Sequence, residues 1–345
     1  MSNLKQLKFP AIYSQLAHDF IASTPKLAGV SVPLSLLYTR LNIPQRTLSD
    51  PHASLTGQQM QLLMAMGSLV ADKGTPFSIQ LCRLFKEDTL GLLGLALVNS
   101  ATARDALYTF QQYAFIYSPG FDFQIHEHQN TVEITLTPLV NFDETIQRTM
   151  TELVFGAFAF YTHRSGLNVT LDYFLPYSLG AHKPAFEEFT QGKLHEQASQ
   201  ARIRFPKNTL QLPLSQPNLV TRALYTEQLE QQAKMARSSE SFSLKARRHI
   251  EQQARHGIFV SREFLASEMA VSVRTLNRKL KEEGLSFQPL LDQARFNIAQ
   301  RLLIDTDKTT KHIAFACGIH NPAVFCRAFK KWSGKTPGEF RQQYG

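Results

Sequence analysis

The sequence predicts an α+β N-terminal domain followed by an all-α C-terminal domain with two helix-turn-helix units. Apolar residues before position 212 switch from helical spacing to strict alternation and back, whereas those after position 243 keep helical spacing throughout. The excess positive charge lies almost wholly in the second region. Residues 240–345 carry 18 Lys and Arg against 10 Asp and Glu, within a net charge of +9 for the chain. Spacing and charge therefore divide the chain at about the same place.

Composition limits the class of protein. The 345 residues are 43% hydrophobic and 19% charged, which suits two globular domains and excludes a largely disordered chain. The longest apolar stretch, Leu90–Val98, is far shorter than the ~20 residues that span a bilayer, and the N-terminus lacks a signal-peptide pattern. Three cysteines fit a reducing compartment. We expect a cytoplasmic protein that does not bind membranes.

The region 1–212 contains the alternation that is typical of strands. Apolar and polar residues alternate on both sides of a polar turn at 128–130, which predicts an antiparallel hairpin over residues 121–137. Thr102 precedes Asp105 by three residues, the spacing of a capping box, and predicts a helix start. The other predicted elements are a mostly helical stretch over 11–70 with a helix start at 56–59, a helix over 150–164, and strands over 169–174, 201–205 and 209–212.

Pro213 and Pro217 interrupt the chain after this region. A polar helix with a thin apolar seam follows over residues 219–236, and the run at 238–241 is typical of a hinge. We therefore predict three parts, which are residues 1–212 as the first domain, residues 213–242 as a linker helix and hinge, and residues 243–345 as the second domain.

N-capping Ser, Thr and Asn residues, together with glycines that end helices, predict six helices in the second domain. They are expected between Ser243 and Gly257, Ser261 and Glu268, Ser272 and Gly284, Ser286 and Ile304, Thr310 and Gly318, and Asn321 and Gly334. The segments 261–282 and 310–333 each consist of a short helix, a tight turn and a second helix, which is the helix-turn-helix arrangement.

The second helix of each unit has an apolar face and a polar face. The apolar faces consist of Val273, Leu276 and Leu280 in the first unit and Phe325, Phe329 and Trp332 in the second. The opposite side of the helix consists of Arg274, Asn277, Arg278 and Lys281 in the first unit, and Ala323, Arg327, Lys330 and Lys331 can face outward in the second. Arg can donate twice to guanine and Asn can pair with adenine in the major groove, so these faces fit double-stranded DNA. Ser272 and Asn321 mark helix N-termini, which favour phosphate.

Solvation and membrane binding account for these faces less well than DNA does. One amphipathic helix could have an ordinary solvated face, but solvation does not explain two such helices behind short helices in a segment of net charge +8, from 18 basic and 10 acidic residues. A membrane-surface helix would need a wide apolar face, whereas these helices bury their apolar residues in tight units. Double-stranded DNA is the expected partner.

The last third of the chain contains a series of short motifs whose order and spacing are typical of one kind of domain. They are Val271–Leu280, Glu283-Gly284, Ala294-Arg295, Ala299, Leu302-Leu303, Ile313-Ala314, Gly318, Phe325–Lys330, Gly334–Pro337 and Phe340-Arg341. On these stretches, residues 245–341 resemble the DNA-binding domain of the AraC/XylS family of bacterial transcription regulators. The resemblance implies that a long helix, here about 287–304, holds two recognition helices in successive major grooves, ~34 Å apart.

The resemblance also implies which residues contact DNA. Base contacts then belong to Arg274, Asn277, Arg278, Val324 and Arg327. Phosphate contacts are expected by position and charge from Ser272, Lys281, Asn321, Lys330 and Lys331. The run Gly318–Pro322 departs from the family pattern, because the residue after the glycine is not aromatic. We therefore expect the second unit to contribute mainly phosphate and van der Waals contacts.

Residues 20–212 are similar to the arabinose-binding-type sensing domain found in part of this family, on the segments 91–94, 100–102, 106–107, 205, 210 and 213. The similarity implies a domain that binds an effector and dimerises, but effectors vary, so neither the ligand class nor the binding residues follow. Composition adds no ligand class, because 16 of the 25 Phe lie before residue 240, no more than the length of that region accounts for.

Enzyme chemistry and metal binding have little support. His126 and His128 share a strand face, but two ligands do not make a zinc site, and no phosphate-binding loop or nucleophile elbow occurs. Cys317 and Cys326 are expected to fill the core. We expect no enzyme activity, no cofactor and no metal.

The resulting hypothesis is a transcription regulator, an activator by family habit, that a small-molecule effector controls. A homodimer and contact with RNA polymerase are compatible with it. Two alternatives stay open. One is a DNA-binding regulator without a small-molecule effector, controlled by expression or by a protein partner. The other is a DNA-repair protein with a reactive cysteine, which would need a cysteine cluster, whereas only Cys82 precedes the hinge.

Overall fold

The computed structural model describes residues 7–23, 38–39, 42–44, 50, 53–140, 142–238 and 240–344. Part of the predicted helical stretch 11–70 and residue 239 of the predicted hinge lie outside these residues. The chain forms two compact units, and the boundary between them lies between residues 239 and 240. In the part of the chain that is described, no helix combines the length and the apolar character that a bilayer span requires.

The first unit is α+β, as predicted. Its elements are β1 (Lys8–Pro10), α1 (Ile12–Ser23), β2 (Ser54–Thr56), α2 (Gly57–Val70), α3 (Phe77–Cys82), α4 (Gly91–Val98), α5 (Ala103–Tyr117), β3 (Phe121–Glu127), β4 (Thr131–Pro138), α6 (Glu144–Arg164), β5 (Asp172–Phe174), α7 (Lys183–Thr190), β6 (Lys193–His195), β7 (Ala201–Pro206) and α8 (Leu219–Ser238). Short 3₁₀ helices occupy Gly180–His182 and Lys207–Gln211.

The predicted hairpin lies at one edge of a five-stranded sheet with the order β3-β4-β7-β5-β6. All neighbours in this sheet are antiparallel except β5 and β6. Phe123 faces Leu136 and Ile125 faces Ile134 across the hairpin, and the turn falls at residues 128–130. The antiparallel hairpin is therefore confirmed. The alternation also predicted that only one face is buried, which is wrong for β4, because Glu133 and Thr135 on its other face are buried as well.

Helix starts in the first unit follow their capping residues. Thr102 and Asp105 form the predicted capping box before α5. Helix α6 begins six residues before the predicted Met150, because Asp143 Oδ1 accepts a hydrogen bond from Thr145 N at 3.0 Å. The strand predicted over 169–174 is shorter and spans β5 alone.

The strand predicted over residues 209–212 is wrong. This segment belongs to the 3₁₀ helix Lys207–Gln211, and Leu212 N donates to Thr209 O at 3.0 Å. Pro206 ends β7 at this point, because proline has no N–H for a further ladder bond. Leu210 is buried because the 3₁₀ helix turns its side chain inward, so the spacing of apolar residues here did not indicate a strand.

Helix α8, predicted as part of a linker, packs against α4 and α5 within the first unit. Leu229 and Ala233 of its thin apolar seam are fully buried. Two hydrogen bonds to α5 add to this contact. Arg222 Nη2 donates to Thr109 Oγ1 at 3.2 Å, and Tyr113 Oη donates to Glu230 Oε2 at 3.0 Å. These bonds join residues more than 110 positions apart, so local sequence patterns contained no sign of them.

The second unit is all-α, as predicted. Its helices are α9 (Phe242–Arg255), α10 (Arg262–Glu268), α11 (Val273–Glu282), α12 (Phe287–Asp305), α13 (Thr310–Ala316), α14 (Pro322–Ser333) and α15 (Pro337–Tyr344). Helix α12 contributes to two hydrophobic cores. Its first half, including Leu290 and Ala294, packs with α9, α10 and α11, and its second half, including Ala299 and Leu303, packs with α13, α14 and α15.

Two predicted helix starts in this unit are displaced by one or two residues. Helix α9 is capped by Ser241, whose Oγ accepts from Leu244 N, and not by Ser243. Ser243 is instead buried, and its N–H donates to Glu283 Oε2 at 2.9 Å. The cap of α13 is Thr309 and not Thr310, because Thr309 Oγ1 accepts from His312 N.

We expect Phe325→Ala to lower the free energy of unfolding by ~3–5 kcal/mol, because Phe325 is fully buried in the second core and its removal leaves a cavity. The neighbouring Val324→Ala is the control, with an effect within ~0.5 kcal/mol, because Val324 is 42% exposed. Urea unfolding of the full chain measures both variants. Equal effects of the two substitutions would contradict this description of α14.

Candidate nucleic-acid interface

The two helix-turn-helix units contain the same turn. In the first helix-turn-helix, Met269 N donates to Leu265 O, Ala270 N to Ser267 O and Val271 N to Ala266 O. In the second helix-turn-helix, Cys317 N donates to Ile313 O, Gly318 N to Phe315 O and Ile319 N to Ala314 O. Both turns place one residue in the left-handed region, Ala270 at φ +51° and Gly318 at φ +67°. The sequence concealed this equivalence, because an alanine is not a turn signal.

Helix α11 has the two predicted faces. Leu276 and Leu280 are fully buried in the first core, and Val273 packs against it. Arg274, Asn277, Arg278 and Lys281 are all exposed. The helix starts at Ser272, whose Oγ accepts from Thr275 N at 3.1 Å. Spacing alone determined these faces, because residues three and four positions apart lie on the same side of a helix.

Arg278 has a partner within its own helix. Its Nη1 lies 2.6 Å from Glu282 Oε1, and both side chains are more than half exposed. An exposed pair of this kind is worth ~0.3–0.5 kcal/mol. DNA could therefore compete for this guanidinium at small cost.

Helix α14 also has a buried apolar face and an exposed outer face, but its N-cap is an asparagine. Phe325 and Phe329 are fully buried, and Trp332 packs against the same core. Asn321 Oδ1 accepts from the backbone N–H groups of Ala323 and Val324, at 2.9 and 3.3 Å. The residues on the outer face, Val324, Arg327, Lys330 and Lys331, are exposed.

All ten residues predicted to contact DNA are therefore exposed: Ser272, Arg274, Asn277, Arg278, Lys281, Asn321, Val324, Arg327, Lys330 and Lys331. Four of the five on α14 and its cap are polar or charged, and Val324 is the exception. Their contacts with bases and phosphates stay predictions. Exposure is the condition that they had to meet, because a buried cation could reach neither groove.

Not all of the positive charge in this unit is available to a polyanion. Arg295 Nε donates to Cys317 O at 3.1 Å, and burial lowers the pKa of this guanidinium. Arg341 donates to the carbonyl oxygens of Leu303, Thr306 and Lys308 and so ties α15 to the loop before α13. Charge counting missed both roles, because it does not distinguish an internal cation from an external one.

Among the described residues, no group of three or more His, Cys, Asp or Glu side chains is placed so that it could hold a metal ion. His126 lies on β3, whereas His128 falls in the turn that follows it. His128 Nε2 is 4.0 Å from Glu133 Oε2. The two histidines therefore do not share a strand, as the sequence pattern had suggested.

The architecture is thus two helix-turn-helix units on one long helix, preceded in the chain by an α+β domain. Comparison with known families agrees with it. A helix-turn-helix domain model matches residues 265–343, and the model of the arabinose-binding N-terminal domain of the AraC transcription regulator matches residues 33–214. The second match covers more than half of the chain. The chain belongs to the AraC family of transcription regulators.

Individual relatives are similar over parts of their length. The ornithine utilization regulator of Pseudomonas aeruginosa is 31% identical over 140 residues, 41% of this chain and 41% of that protein. The transcriptional activator RhaS of Escherichia fergusonii is 40% identical over 84 residues, 24% of this chain and 30% of that protein. This chain therefore matches about two fifths of the length of the ornithine utilization regulator. The crystal structure of the regulator CdpR from Pseudomonas aeruginosa is 18% identical, with a TM-score of 0.43, over 90% of this chain and 96% of that chain.

The turn that both helix-turn-helix units share leads to two predictions about the free energy of unfolding. We expect Gly318→Ala to lower the free energy of unfolding by at least ~1 kcal/mol, because the left-handed region disfavours a Cβ atom. That atom would also lie 2.6 Å from Phe259 Cδ2. Ala270→Gly should leave stability unchanged or raise it by up to ~1 kcal/mol, because it relieves the same strain. Urea unfolding measures both, and a destabilising Ala270→Gly would refute the equivalence.

The predicted contacts generate a second test. Replacing Arg274 or Arg278 by Ala should weaken binding to specific DNA by ~1–3 kcal/mol and relax base preference at one position. Lys331→Ala is the matched variant, and it should weaken binding to all sequences alike and reduce the salt slope by ~1. Binding titrations on specific and random duplexes at several salt concentrations measure these effects. Equal losses on both duplexes for every variant would show that base readout is assigned to the wrong residues.

Proposed function

We propose that this protein is a sequence-specific DNA-binding transcription regulator whose activity a small-molecule effector controls. The observation that carries the proposal is the pair of helices α11 and α14, which bury apolar faces in two cores while exposing Arg, Asn and Lys. Such faces supply the donors that read guanine and adenine and the cations that bind phosphate. Family membership and the net charge of this unit support the same function.

Control by an effector is supported by the arabinose-binding-type domain that precedes the DNA-binding unit. A relative named for ornithine utilization and another named as an activator make metabolite-dependent activation the favoured mode. A homodimer, contact with RNA polymerase and action in the cytoplasm are parts of this proposal. An effector can act only if it binds two states of the protein with different affinities. A chain that no metabolite stabilises would favour the alternative, a regulator controlled by expression or by a protein partner.

The repair-enzyme alternative requires a reactive thiol. Cys82 is buried, and burial raises the pKa of its thiol well above the ordinary value. Burial also raises the pKa of the Cys317 thiol to about 12. Cys326 is half-buried against the second core. Because the thiolate is the reactive form, these positions favour structural roles and a regulator without enzyme activity.

We expect a fragment of residues 240–345 to fold and bind DNA alone, because both cores lie wholly within it. Its association constant should fall with salt concentration, with a slope of about −0.9 per phosphate contacted. Circular dichroism checks folding, and fluorescence anisotropy with duplex DNA checks binding. The fragment with Arg274 and Arg278 both replaced by Ala is the control.

A folded fragment that binds no duplex at low salt would refute the proposal. Genome-wide mapping of sites bound by the full chain then identifies the natural sequences. Metabolic genes beside those sites would indicate which compounds to test as effectors.

A further inference from the structure

The first unit contains an apolar cavity of about 90 Å³. Its walls come from the helices α4, α5 and α6, from the strand β7 and from the 3₁₀ helix that follows. Fourteen of the eighteen lining residues are Leu, Val, Phe or Ala, and none of the eighteen is charged. No local sequence pattern indicated this site, because its walls are far apart along the chain.

The polar capacity of the cavity is small. Tyr161 lines it, but its hydroxyl group already accepts from Leu90 N at 3.2 Å and donates to Glu87 O at 3.0 Å. The remaining hydroxyl groups at the wall belong to Thr162, Ser165 and Thr209. Apart from Tyr161, side-chain hydrogen bonds to a ligand are therefore limited to these three residues.

This chemistry selects among ligand classes. A buried ammonium or carboxylate without an ion partner is costly, which disfavours an amino acid such as ornithine. A sugar has a hydroxyl group on almost every carbon, and each would need a partner when buried, which disfavours arabinose. An apolar cavity binds apolar molecules instead, and an engineered cavity of ~150 Å³ holds benzene.

A second, smaller cavity of about 40 Å³ adjoins the first, and the two share Leu90, Phe110 and Ala157 in their walls. Phe110 packs edge-to-face against Phe123 and Phe158, with ring centroids 4.8 and 4.7 Å away. Phe110 therefore stands between the two cavities. The combined space is of the order of a monocyclic aromatic molecule or a short alkyl chain.

The cavity is next to the contact between α5 and α8. Leu107 and Phe110 line the cavity, while Thr109 and Tyr113 on the same helix hold Arg222 and Glu230 of α8. Arg222 Nε is buried without a hydrogen-bond partner in the described part of the chain. A molecule that displaces α5 would therefore act on an incompletely satisfied contact. Helix α8 is the last element before the DNA-binding unit along the chain.

We propose that the effector of this protein is an uncharged, predominantly apolar small molecule that binds in this cavity and acts on α8 through α5. The inference rests on the proposed function, because it names the ligand class of a regulator. It also departs from the sugar in the description of the domain family and from the amino acid in a relative's name.

Benzyl alcohol is the probe for ligand class, with L-ornithine and L-arabinose as polar comparisons. Isothermal titration of the full chain should detect benzyl alcohol and neither polar compound. Ala157→Phe fills the wall that both cavities share, and it should weaken benzyl alcohol binding by about tenfold or more. Ala65→Phe is the same change at an exposed site and should leave the Kd within about twofold. Ala106→Leu fills the cavity from α5 and provides a second blocking variant.

The second measurement is the DNA affinity of the full chain with and without benzyl alcohol. We expect a change of about fivefold or more, in the range typical of allosteric coupling. Thr109→Val removes the acceptor of Arg222 and should reduce this change while the Kd for benzyl alcohol stays within about twofold.

The outcomes separate the two proposals. Benzyl alcohol binding that survives both filling variants, or polar ligands that the filling variants block, would overturn the ligand class. A chain that binds both DNA and benzyl alcohol without coupling would overturn the regulatory role of the cavity and leave DNA binding intact. A chain that binds no DNA would overturn the proposed function, and the titrations would still decide the ligand class.

Discussion

Helix α12 is shared by two hydrophobic cores, and the folding of the second compact unit depends on this arrangement. A helix-turn-helix of about 20 residues cannot bury enough apolar surface to fold alone, because small domains bury too small a fraction of their surface. Leu290 and Ala294 complete the first core, and Ala299 and Leu303 complete the second. Ile298 and Phe259 pack against both cores. The shared helix therefore fixes the spacing between the two outward faces.

Several polar groups of this unit preserve that frame and leave the outer faces free. Glu283 accepts the N–H groups of Phe242 and Ser243 at 2.9 Å, which attaches the start of α9 beside the end of α11. Arg295 and Arg341 bind backbone carbonyl groups inside the unit. These residues are charged, yet they stabilise the fold. A division of labour follows, in which internal charges hold the helices together and the charges on α11 and α14 stay exposed at the surface.

The first unit has a different physical character around its cavity. Helices, a strand and a 3₁₀ helix line an apolar space, and α8 is held to this unit by the burial of Leu229 and Ala233 together with two hydrogen bonds to α5. The two hydrogen bonds are the part of this contact most sensitive to small displacements, because hydrogen bonds weaken steeply when their angle departs from linear.

The sequence by itself determined the features that depend on neighbours along the chain. These include the hairpin over β3 and β4, the capping box at Thr102, the two faces of α11 and α14, and the basic character of the last third. Tertiary structure alone decided the docking of α8, the cavity and the internal use of Arg295. The physical reason is distance along the chain. Periodicity and capping involve residues up to about four positions apart, whereas these contacts join segments that meet only after folding.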